Sequence, residues 1–371
     1  MQGQWFGAVS GTNDGEIILN IDDRDDSFTG LVHYEDKDNS MPSLMAYIDI
    51  MRFDDYRCIF DITDILAVHP VTKTVDSWDS IKSYHDNEMF IPNEVVVIVE
   101  RIDKNTISIK MTTDIGTEVS GFLNSINCGK DSSLTPLNYS WDEFKRHALD
   151  FSDGTIFRGQ NQQWKLETGF NRQGRYDLVN YRNKCIPELH RQLTTDTKYQ
   201  FKLADNKDFG AFLNLAQHHG FPTPLLDWTY SPYVAAFFAF RGITSKDAKD
   251  NPERKVRIFM LNRTLLETYH VGLDSLIVNC FNLAVVDLLG TENPRMIPQQ
   301  ATATISNVAD IEKFIKKLEQ KHDISVLQCI DIPWSERDKV VRELTLMGLT
   351  AGSLFPGIDG TCEALKEKLF A

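Results

Sequence analysis

The sequence lacks the cysteine spacings that bind metal or build a disulfide framework. Its six cysteines are widely separated, at Cys58, Cys128, Cys185, Cys280, Cys329 and Cys362. No two lie close enough to form the paired ligands of a zinc ribbon. Such scatter in a long chain is also unlike a small domain held together by disulfides. We therefore expect free thiols in a reducing cytoplasm.

The sequence also lacks long hydrophobic runs and an excess of positive charge. No window approaches the roughly 18 uninterrupted apolar residues of a membrane helix, and the first residues do not form a signal peptide. Lys and Arg number 39 against 53 Asp and Glu, a net charge of −14. That field repels phosphate backbones, which argues against a general DNA or RNA coat protein but leaves room for a local basic pocket. No membrane partner is expected.

What the sequence does have is the length and composition of a folded protein. At 371 residues and 42% hydrophobic content, about two domains are expected. The fold class is predicted as α+β. An all-β barrel or sandwich domain is expected over 1–126 and a linker over 127–139. A mixed α+β domain then follows over 140–371.

The β prediction for 1–126 rests on turn residues that recur at regular spacing. The dipeptide Asp14–Gly15 separates two apolar runs at 5–9 and 16–21, which is typical of a hairpin. A clearer meander spans 95–123, with turns about every ten residues, as small sandwiches and barrels require. Only the stretch 77–87 suggests a helix.

Helix signals begin after the polar linker. Ser140 and Glu143 have the spacing of a capping box, so a helix should begin there. The stretch 178–193 is typical of a helix, although Pro187 should kink or split it. The apolar stretch 276–289 is predicted as a further helix, and from 295 onward strand and helix should alternate.

The most specific segment, 216–232, brings several chemically useful side chains together. It holds His218, His219, Asp227, Trp228 and Thr229. Immediately afterwards, a serine and a proline should begin a helix whose N-terminus points at the loop that carries the aspartate. Free amides and a positive dipole end suit an anion or a phosphate.

Each of these residues also has a structural interpretation. Asp227 and Ser231 could simply cap the helix, and Trp228 could fill the core. His218 and His219 diverge by about 100° on a helix and cannot share one metal ion. One of the two could instead cap the helix or touch a ligand.

Two further pairs are candidates. Arg158 and Gly159 end a short strand, where an arginine can bind a phosphate or carboxylate and a glycine lets a ligand approach the backbone. A buried structural Arg–Asp pair is the alternative. Gln299 and Gln300 precede a later strand and could present an amide to a ligand, or could lie on a solvated strand edge.

These motifs closely resemble the FRG domain. The resemblance rests on the tripeptide 157–159, the segment 216–232, and a tail that runs from 337 to 360, so it covers about 140–371. One departure is Pro224, where the family more often has arginine after Pro-Thr.

The order of motifs is similar to that of ADP-ribosyltransferases, and this likeness implies roles. Arg158 would bind the pyrophosphate of NAD and Gly159 its nicotinamide, while Trp228 would stack on a ring. His219 or Asp227 would orient ribose or take a proton. The remaining ligand contacts are expected from three residues: His218, Thr229 and Ser231. Gln300 stands about where those enzymes have a catalytic glutamate, and an amide cannot act as a general base.

The resemblance thus implies an NAD-consuming enzyme, either an ADP-ribosyltransferase or an NAD glycohydrolase. NAD would be its substrate, and the target of modification would be a protein or a nucleic acid. A bacterial antiviral defence or toxin setting would suit this activity. The alternative is a non-catalytic module that senses a nucleotide or a protein through the same pocket.

Overall fold

The computed structural model describes residues 1–51, 56–71, 74–85, 89–126, 129–269 and 280–370. It contains two β-sheets, the first built from the N-terminal third of the chain and the second surrounded by helices. This confirms the α+β class with a strand-rich N-terminal part. None of the helices in the described residues is long and apolar enough to cross a membrane.

The first sheet has ten antiparallel strands in the order β5-β8-β9-β10-β1-β2-β3-β4-β6-β7. The strands are β1 (Gly3–Gly11), β2 (Gly15–Arg24), β3 (Ser27–Asp36), β4 (Leu44–Met51), β5 (Arg57–Ile62), β6 (Ile65–Val68), β7 (Val75–Asp76), β8 (Val95–Arg101), β9 (Thr106–Thr113) and β10 (Glu118–Ser125).

The predicted hairpin and meander are both present in this sheet. Val9 pairs with Gly15 across the first turn, and β8, β9 and β10 pair in sequence. In place of the predicted helix over 77–87, the chain forms one short helix, α1 (Trp78–Ile81), and a 3₁₀ turn at Lys82–Tyr84. Residues 86 and 87 lie outside the described residues.

The first sheet curls around a single apolar core. Ile48 of β4 and Phe60 of β5 pack in the same buried cluster, although their strands stand near opposite ends of the sheet order. The outer strands are β5 and β7, and no backbone pairing among the described residues closes the sheet into a barrel. Curling lets one face bury its alternating apolar side chains without full closure.

The second sheet has seven strands in the order β11-β17-β14-β12-β13-β16-β15. All neighbours are antiparallel except β11 and β17. The strands are β11 (Leu137–Asn138), β12 (Thr155–Gln160), β13 (Leu225–Thr229), β14 (Lys255–Asn262), β15 (Leu283–Val286), β16 (Ala301–Ser306) and β17 (Leu327–Pro333).

Helices cover this second sheet. They are α2 (Trp141–His147), α3 (Gly169–Arg172), α4 (Leu178–Asn180), α5 (Ile186–Leu193), α6 (Asn206–His218), α7 (Pro232–Phe240), α8 (Ser245–Asp250), α9 (Arg263–Tyr269), α10 (Ile311–His322), α11 (Arg337–Leu346), α12 (Ala351–Leu354) and α13 (Ile358–Phe370). A 3₁₀ turn at Trp334–Glu336 leads into α11.

Alternation along β12 divides the helices into two layers. Phe157 packs with Ala235 of α7 on one face of the sheet. Its neighbour Ile156 packs with Ile311 of α10 on the other face. Successive strand residues point to opposite faces, so each face builds its own core. The central strand β12 is therefore held on both sides.

The predicted helix boundaries around the site are confirmed. Ser140 and Glu143 form the capping box of α2. Ser231 accepts the backbone N–H of Val234 and begins α7, with a proline in its first turn. Gly220 has a φ of +87° just past the end of α6, a left-handed conformation that a glycine adopts without strain.

Pro187 interrupts the predicted helix over 178–193 in a specific way. The chain is helical from Leu178 to Leu193, but a π-helical turn at Tyr181–Cys185 precedes the proline. Proline has no N–H to donate to the preceding turn, and a local change in hydrogen-bond pattern accommodates it.

The helix predicted over 276–289 is wrong where it can be compared. Leu283–Val286 forms strand β15, paired with β16, and residues 276–279 lie outside the described residues. The run is apolar enough to suit a buried helix or a buried strand, and periodicity does not separate the two. Its two β-branched valines favour the strand.

Much of the predicted linker is attached to the second sheet. Residues 127 and 128, and with them Cys128, lie outside the described residues. Asp131 bridges to Trp164, and Leu137 pairs with β17. The separation of 1–126 from 140–371 as independent domains stays a prediction.

The first sheet contacts the second part of the chain through one end of its strands. The Gln4 side chain donates to the carbonyl of Asn307 (2.8 Å) and accepts from the Ala309 N–H (2.9 Å). Buried Asp22 accepts the backbone N–H of Tyr176 (2.6 Å). These contacts hold the segment between β16 and α10 against β1, and the loop after α3 against β2.

Candidate functional site

A cleft of about 330 Å³ opens where β12 and β13 lie side by side. Helix α7 and the segment before β16 complete its walls. Of the residues predicted for the site, the lining includes Arg158, Gly159, His218, Asp227 and Trp228, together with Thr229. Residues 69 positions apart in the sequence therefore share one cleft, as the motif interpretation predicted.

Arg158 is held by the neighbouring strand. Its Nη1 donates to the backbone carbonyl of Asp227 at 2.7 Å. Its Nε is buried and has no hydrogen-bond partner among the described residues. Desolvation lowers the pKa of the guanidinium to about 10, although Asp227 acts in the opposite direction, so the group is cationic at neutral pH. A desolvated cation with an unsatisfied N–H is suited to an anion.

Asp227 provides a carboxylate in the same cleft. The side chain is accessible to solvent, yet it lies in a recess where surrounding protein displaces bulk water. This desolvation raises its pKa, while Arg158 acts to lower it. Gln217 donates from Nε2 to Oδ1 of Asp227 and accepts from the Thr223 hydroxyl. The carboxylate is thus oriented from behind by a side-chain amide.

His218 and His219 differ in exposure, although their rings are in edge contact with centroids 5.9 Å apart. His218 ends α6, lines the cleft and is partly buried. Desolvation, reinforced by Arg295, lowers its pKa to about 4, so the imidazole is neutral at pH 7. Its Nε2 is buried without a partner in the described parts of the chain. His219 is exposed and is not among the lining residues.

Two further arginines make the cleft cationic. The guanidinium groups of Arg295 and Arg241 lie 5.3 Å and 4.2 Å from the ring centroid of Phe355. Arg241 is neutralised by a two-pronged ion pair with Glu363 of α13. Arg295 has no carboxylate partner within the described residues. It is therefore the second cation available to a ligand.

Three predicted ligand-binding residues have structural partners. The Trp228 ring is 3% exposed, packs in the core and donates to the Thr304 hydroxyl (3.0 Å). The Thr229 hydroxyl donates to the carbonyl of Gln299 (2.7 Å), and Ser231 caps α7. These contacts agree with the capping and core alternatives. They leave Trp228 little ring surface for stacking.

Gly159 is required by the helix behind it. A Cβ at this position would lie much closer than van der Waals contact to the Ala235 carbonyl oxygen, and it would also crowd the Ala239 amide nitrogen. Both are backbone atoms of α7 and cannot move aside cheaply. The absence of a side chain therefore allows α7 to pack directly on β12, whatever the backbone of Gly159 does in the cleft.

Gln299, rather than Gln300, lines the cleft. Gln300 has a φ of +46° and an exposed side chain, and its carbonyl accepts the Tyr230 N–H. This left-handed turn, just before β16 begins, places the two side chains differently. The Gln299 amide itself donates to the Leu354 carbonyl (2.9 Å).

Sequence reasoning did not assign roles to Gln217, Arg295 or Phe355. Gln217 lies within the recognised segment, directly before the two histidines, and its position one residue before the end of α6 is a usable signal. Phe355 reaches the cleft from a distant turn. No local pattern predicts that placement.

Chemically, the cleft combines fixed cations, one oriented carboxylate and one neutral imidazole. Cations suit a pyrophosphate, and the carboxylate can stabilise a developing positive charge or accept a proton. No cluster of three His, Cys, Asp or Glu side chains that could hold a metal ion occurs in the described ranges.

Comparison with known families identifies one domain in this part of the chain. The family model described as the FRG domain matches residues 153–248, which include Arg158, the end of α6, β13 and α7. Gln299 and Arg295 lie beyond the matched region. A search of curated proteins finds no match to this chain.

Proposed function

Since this chain is an FRG domain protein, we propose that its cleft binds NAD and cleaves the bond between nicotinamide and ribose. The observation that carries the proposal is the pairing of Arg158 with Asp227 across adjacent strands. This pairing supports the proposal because a desolvated cation suits a pyrophosphate and a neighbouring carboxylate suits a ribose. ADP-ribosyl transfer and NAD hydrolysis both need these two groups.

In this proposal Arg158 and Arg295 bind the pyrophosphate. Arg158 is already oriented by the Asp227 carbonyl, and no described residue accepts its buried Nε–H. Charge-assisted hydrogen bonds to an ionised acceptor each contribute about 1.5–3 kcal/mol. A pre-oriented guanidinium loses little side-chain entropy when the anion binds.

Asp227 acts on the ribose. Neutral nicotinamide leaves with the electron pair of the glycosidic bond, and positive charge develops on the ribose. The Asp227 carboxylate stabilises that charge, then accepts the proton lost when water or a target nucleophile attacks. Its raised pKa makes it a stronger base than an exposed aspartate.

His218 orients a ribose hydroxyl in this scheme. Its imidazole is neutral at pH 7 and its Nε2 has no partner in the described residues. Neutral imidazole can donate or accept according to tautomer. It therefore adds no repulsion toward the cationic nicotinamide ring.

Nicotinamide release from NAD by the purified full chain tests the proposal. We expect turnover by the wild type, and loss of turnover with retained NAD binding for Asp227→Asn. Asp359→Asn, at the exposed start of α13, is a matched control that should behave as wild type. Radiolabelled NAD then separates hydrolysis from transfer to a protein or nucleic-acid target. Binding without release by the wild type would refute the catalytic proposal.

A nucleotide-sensing module without turnover is the second candidate. The observation that favours it is that an amide side chain, Gln299, lines the cleft just before β16, where a carboxylate would be the stronger catalyst. Binding measured by calorimetry with no nicotinamide release would support this function. If NAD is consumed, a bacterial antiviral defence or toxin role in the cytoplasm follows naturally, because loss of NAD arrests metabolism.

A further inference from the structure

A second cavity, of about 110 Å³, lies in the first sheet, far from the cleft in sequence. Its walls include the start of β4, the end of β9 and the turn from β1 to β2. These strand ends lie together at one end of the first sheet. Gln4 and Asp22, which contact the second part of the chain, lie at the opposite end. The cavity therefore opens at the free end of the curled sheet.

Most of the cavity wall is apolar. Its inner surface is built from side chains that also form the core of the sheet, including Val32, Ala46, Ile62, Val95 and Val119. Phe90 and Ile115 also line it and are exposed, so the cavity reaches the surface beside them. An apolar cavity at the mouth of a curled sheet is a common place for a small ligand.

The polar part of the wall is a small hydrogen-bonded group. Oδ2 of Asp36 accepts from Nδ2 of Asn13 (2.8 Å) and from the Tyr34 hydroxyl (3.0 Å). All three residues line the cavity. The Tyr34 phenol donates to the carboxylate, so its oxygen remains able to accept a hydrogen bond. The group thus offers acceptors to a ligand and places negative charge beside it.

We infer that this cavity binds a small apolar molecule that carries one hydrogen-bond donor, an alcohol or an amine. Oδ1 of Asp36 already accepts the backbone N–H of Asp38 (2.9 Å). The Tyr34 oxygen and the remaining lone pair of the Asp36 carboxylate would accept from the ligand's donor, while the apolar wall covers the rest. Asp14, near Tyr34, is paired with Lys37 (3.7 Å), so the charge of Asp36 is the one that would repel a carboxylate ligand such as a fatty acid. A closed cavity of roughly 150 Å³ holds a benzene molecule in another protein. The present cavity is smaller, at about 110 Å³, but it is open at the surface beside Phe90 and Ile115, so a single substituted ring is the largest probe that we expect to fit.

Three probes of similar size test this inference on the full chain. Benzyl alcohol, benzylamine and benzoate share one ring and differ in the polar group. We expect the alcohol and the amine to give saturable ligand-detected NMR signals, with benzoate binding at least about tenfold weaker. Absence of saturable binding by both donors, or equal binding of benzoate, would overturn the inference.

Matched variants locate the binding. Val95 lines the cavity and its neighbour Val96 points to the outer face of β8. Val95→Phe should abolish probe binding and Val96→Phe should leave it unchanged. Tyr34→Phe is a smaller change and should weaken the binding of benzyl alcohol several-fold. Tyr56→Phe, at an exposed position, should leave that binding unchanged. Circular dichroism confirms folding of each variant, and binding retained by folded Val95→Phe or unaltered in Tyr34→Phe would contradict the assigned site.

Discussion

The guanidinium of Arg158 donates a hydrogen bond of 2.7 Å to the backbone carbonyl of Asp227, a residue on the adjacent strand. This bond uses the main chain of Asp227 and leaves its carboxylate to face the cleft, where Gln217 orients it. The same contact leaves the Arg158 Nε unpaired within the described residues. The pairing of β12 with β13 therefore brings the Arg158 cation and the Asp227 carboxylate into the same cleft.

Substitution of Arg158 should reduce nucleotide binding more than stability. Arg158→Ala removes both the positive charge and the paired N–H donors of the guanidinium. NAD affinity should therefore fall about 10²-fold or more, since a factor of ten corresponds to about 1.4 kcal/mol. Arg158→Lys keeps the positive charge but loses the paired donors, so it should bind NAD with intermediate affinity. Isothermal titration of NAD, with thermal melting on the same samples, measures both effects.

Arg257, on the neighbouring strand β14, is the matched structural arginine. It forms a two-pronged buried ion pair with Asp331 (2.8 and 3.0 Å) and does not line the cleft. Arg257→Ala leaves a buried carboxylate unpaired and should destabilise the fold by about 3–5 kcal/mol. Urea denaturation checks this. A similar loss in Arg158→Ala, without NAD binding by the wild type, would assign Arg158 a structural role.

Gly159→Ala should destabilise the protein even before any ligand is considered. The added Cβ would collide with the backbone of α7 at Ala235, and overpacking of this kind costs about 1–3 kcal/mol or more. Gly129→Ala, whose Cβ meets open space, should change stability by no more than about 0.5 kcal/mol. Thermal melting of the two variants gives the comparison, and equal melting temperatures would show that α7 can shift.

Local chemistry explains which parts of the fold could be predicted. The capping box of α2, the Ser231 cap of α7 and the glycine after α6 depend on neighbouring residues, so their sequence signals were sufficient. The hairpin at Gly15 is equally local. The sequence does not distinguish strand β15 from a helix, because an apolar run suits either buried structure.

The cleft was only partly predictable, because long-range packing decides which side chains face it. The pairing of β12 with β13 brings Arg158 to Asp227, and this could be anticipated from the motif order. The turn at Gln300 and the approach of Phe355 depend on contacts distant in sequence. Likewise, only the packing of α7 reveals why residue 159 is glycine.

The buried negative charge of Asp22 should lower the stability of the folded protein. Its side chain is fully buried, accepts the Tyr176 N–H and pairs with the partly exposed Arg24 at 3.2 Å. Desolvation nevertheless outweighs both contacts and raises the pKa of Asp22 above the usual range. Asp22→Asn keeps an acceptor without the charge, so stability at pH 7 should be unchanged or higher. Asp22→Ala leaves the N–H without that acceptor and should cost about 1–3 kcal/mol. Urea denaturation of both variants distinguishes the two effects, and a larger loss in Asp22→Asn than in Asp22→Ala would contradict the argument.

His218 should make stability depend on pH in mildly acidic solution. Its pKa is about 4 in the folded protein and about 6.5 in an unfolded chain. Between these values the unfolded chain binds more protons, so stability falls as the pH is lowered from about 6.5 toward 4. The stability of His218→Asn should fall less steeply over that pH window. Comparison with wild type removes the effect of carboxyl groups that titrate there. His219→Asn is the control for a change at the exposed end of the same helix. Urea midpoints measured at pH 7, 5.5 and 4.5 give the slopes, and identical slopes for wild type and His218→Asn would show that His218 is not desolvated in the cleft.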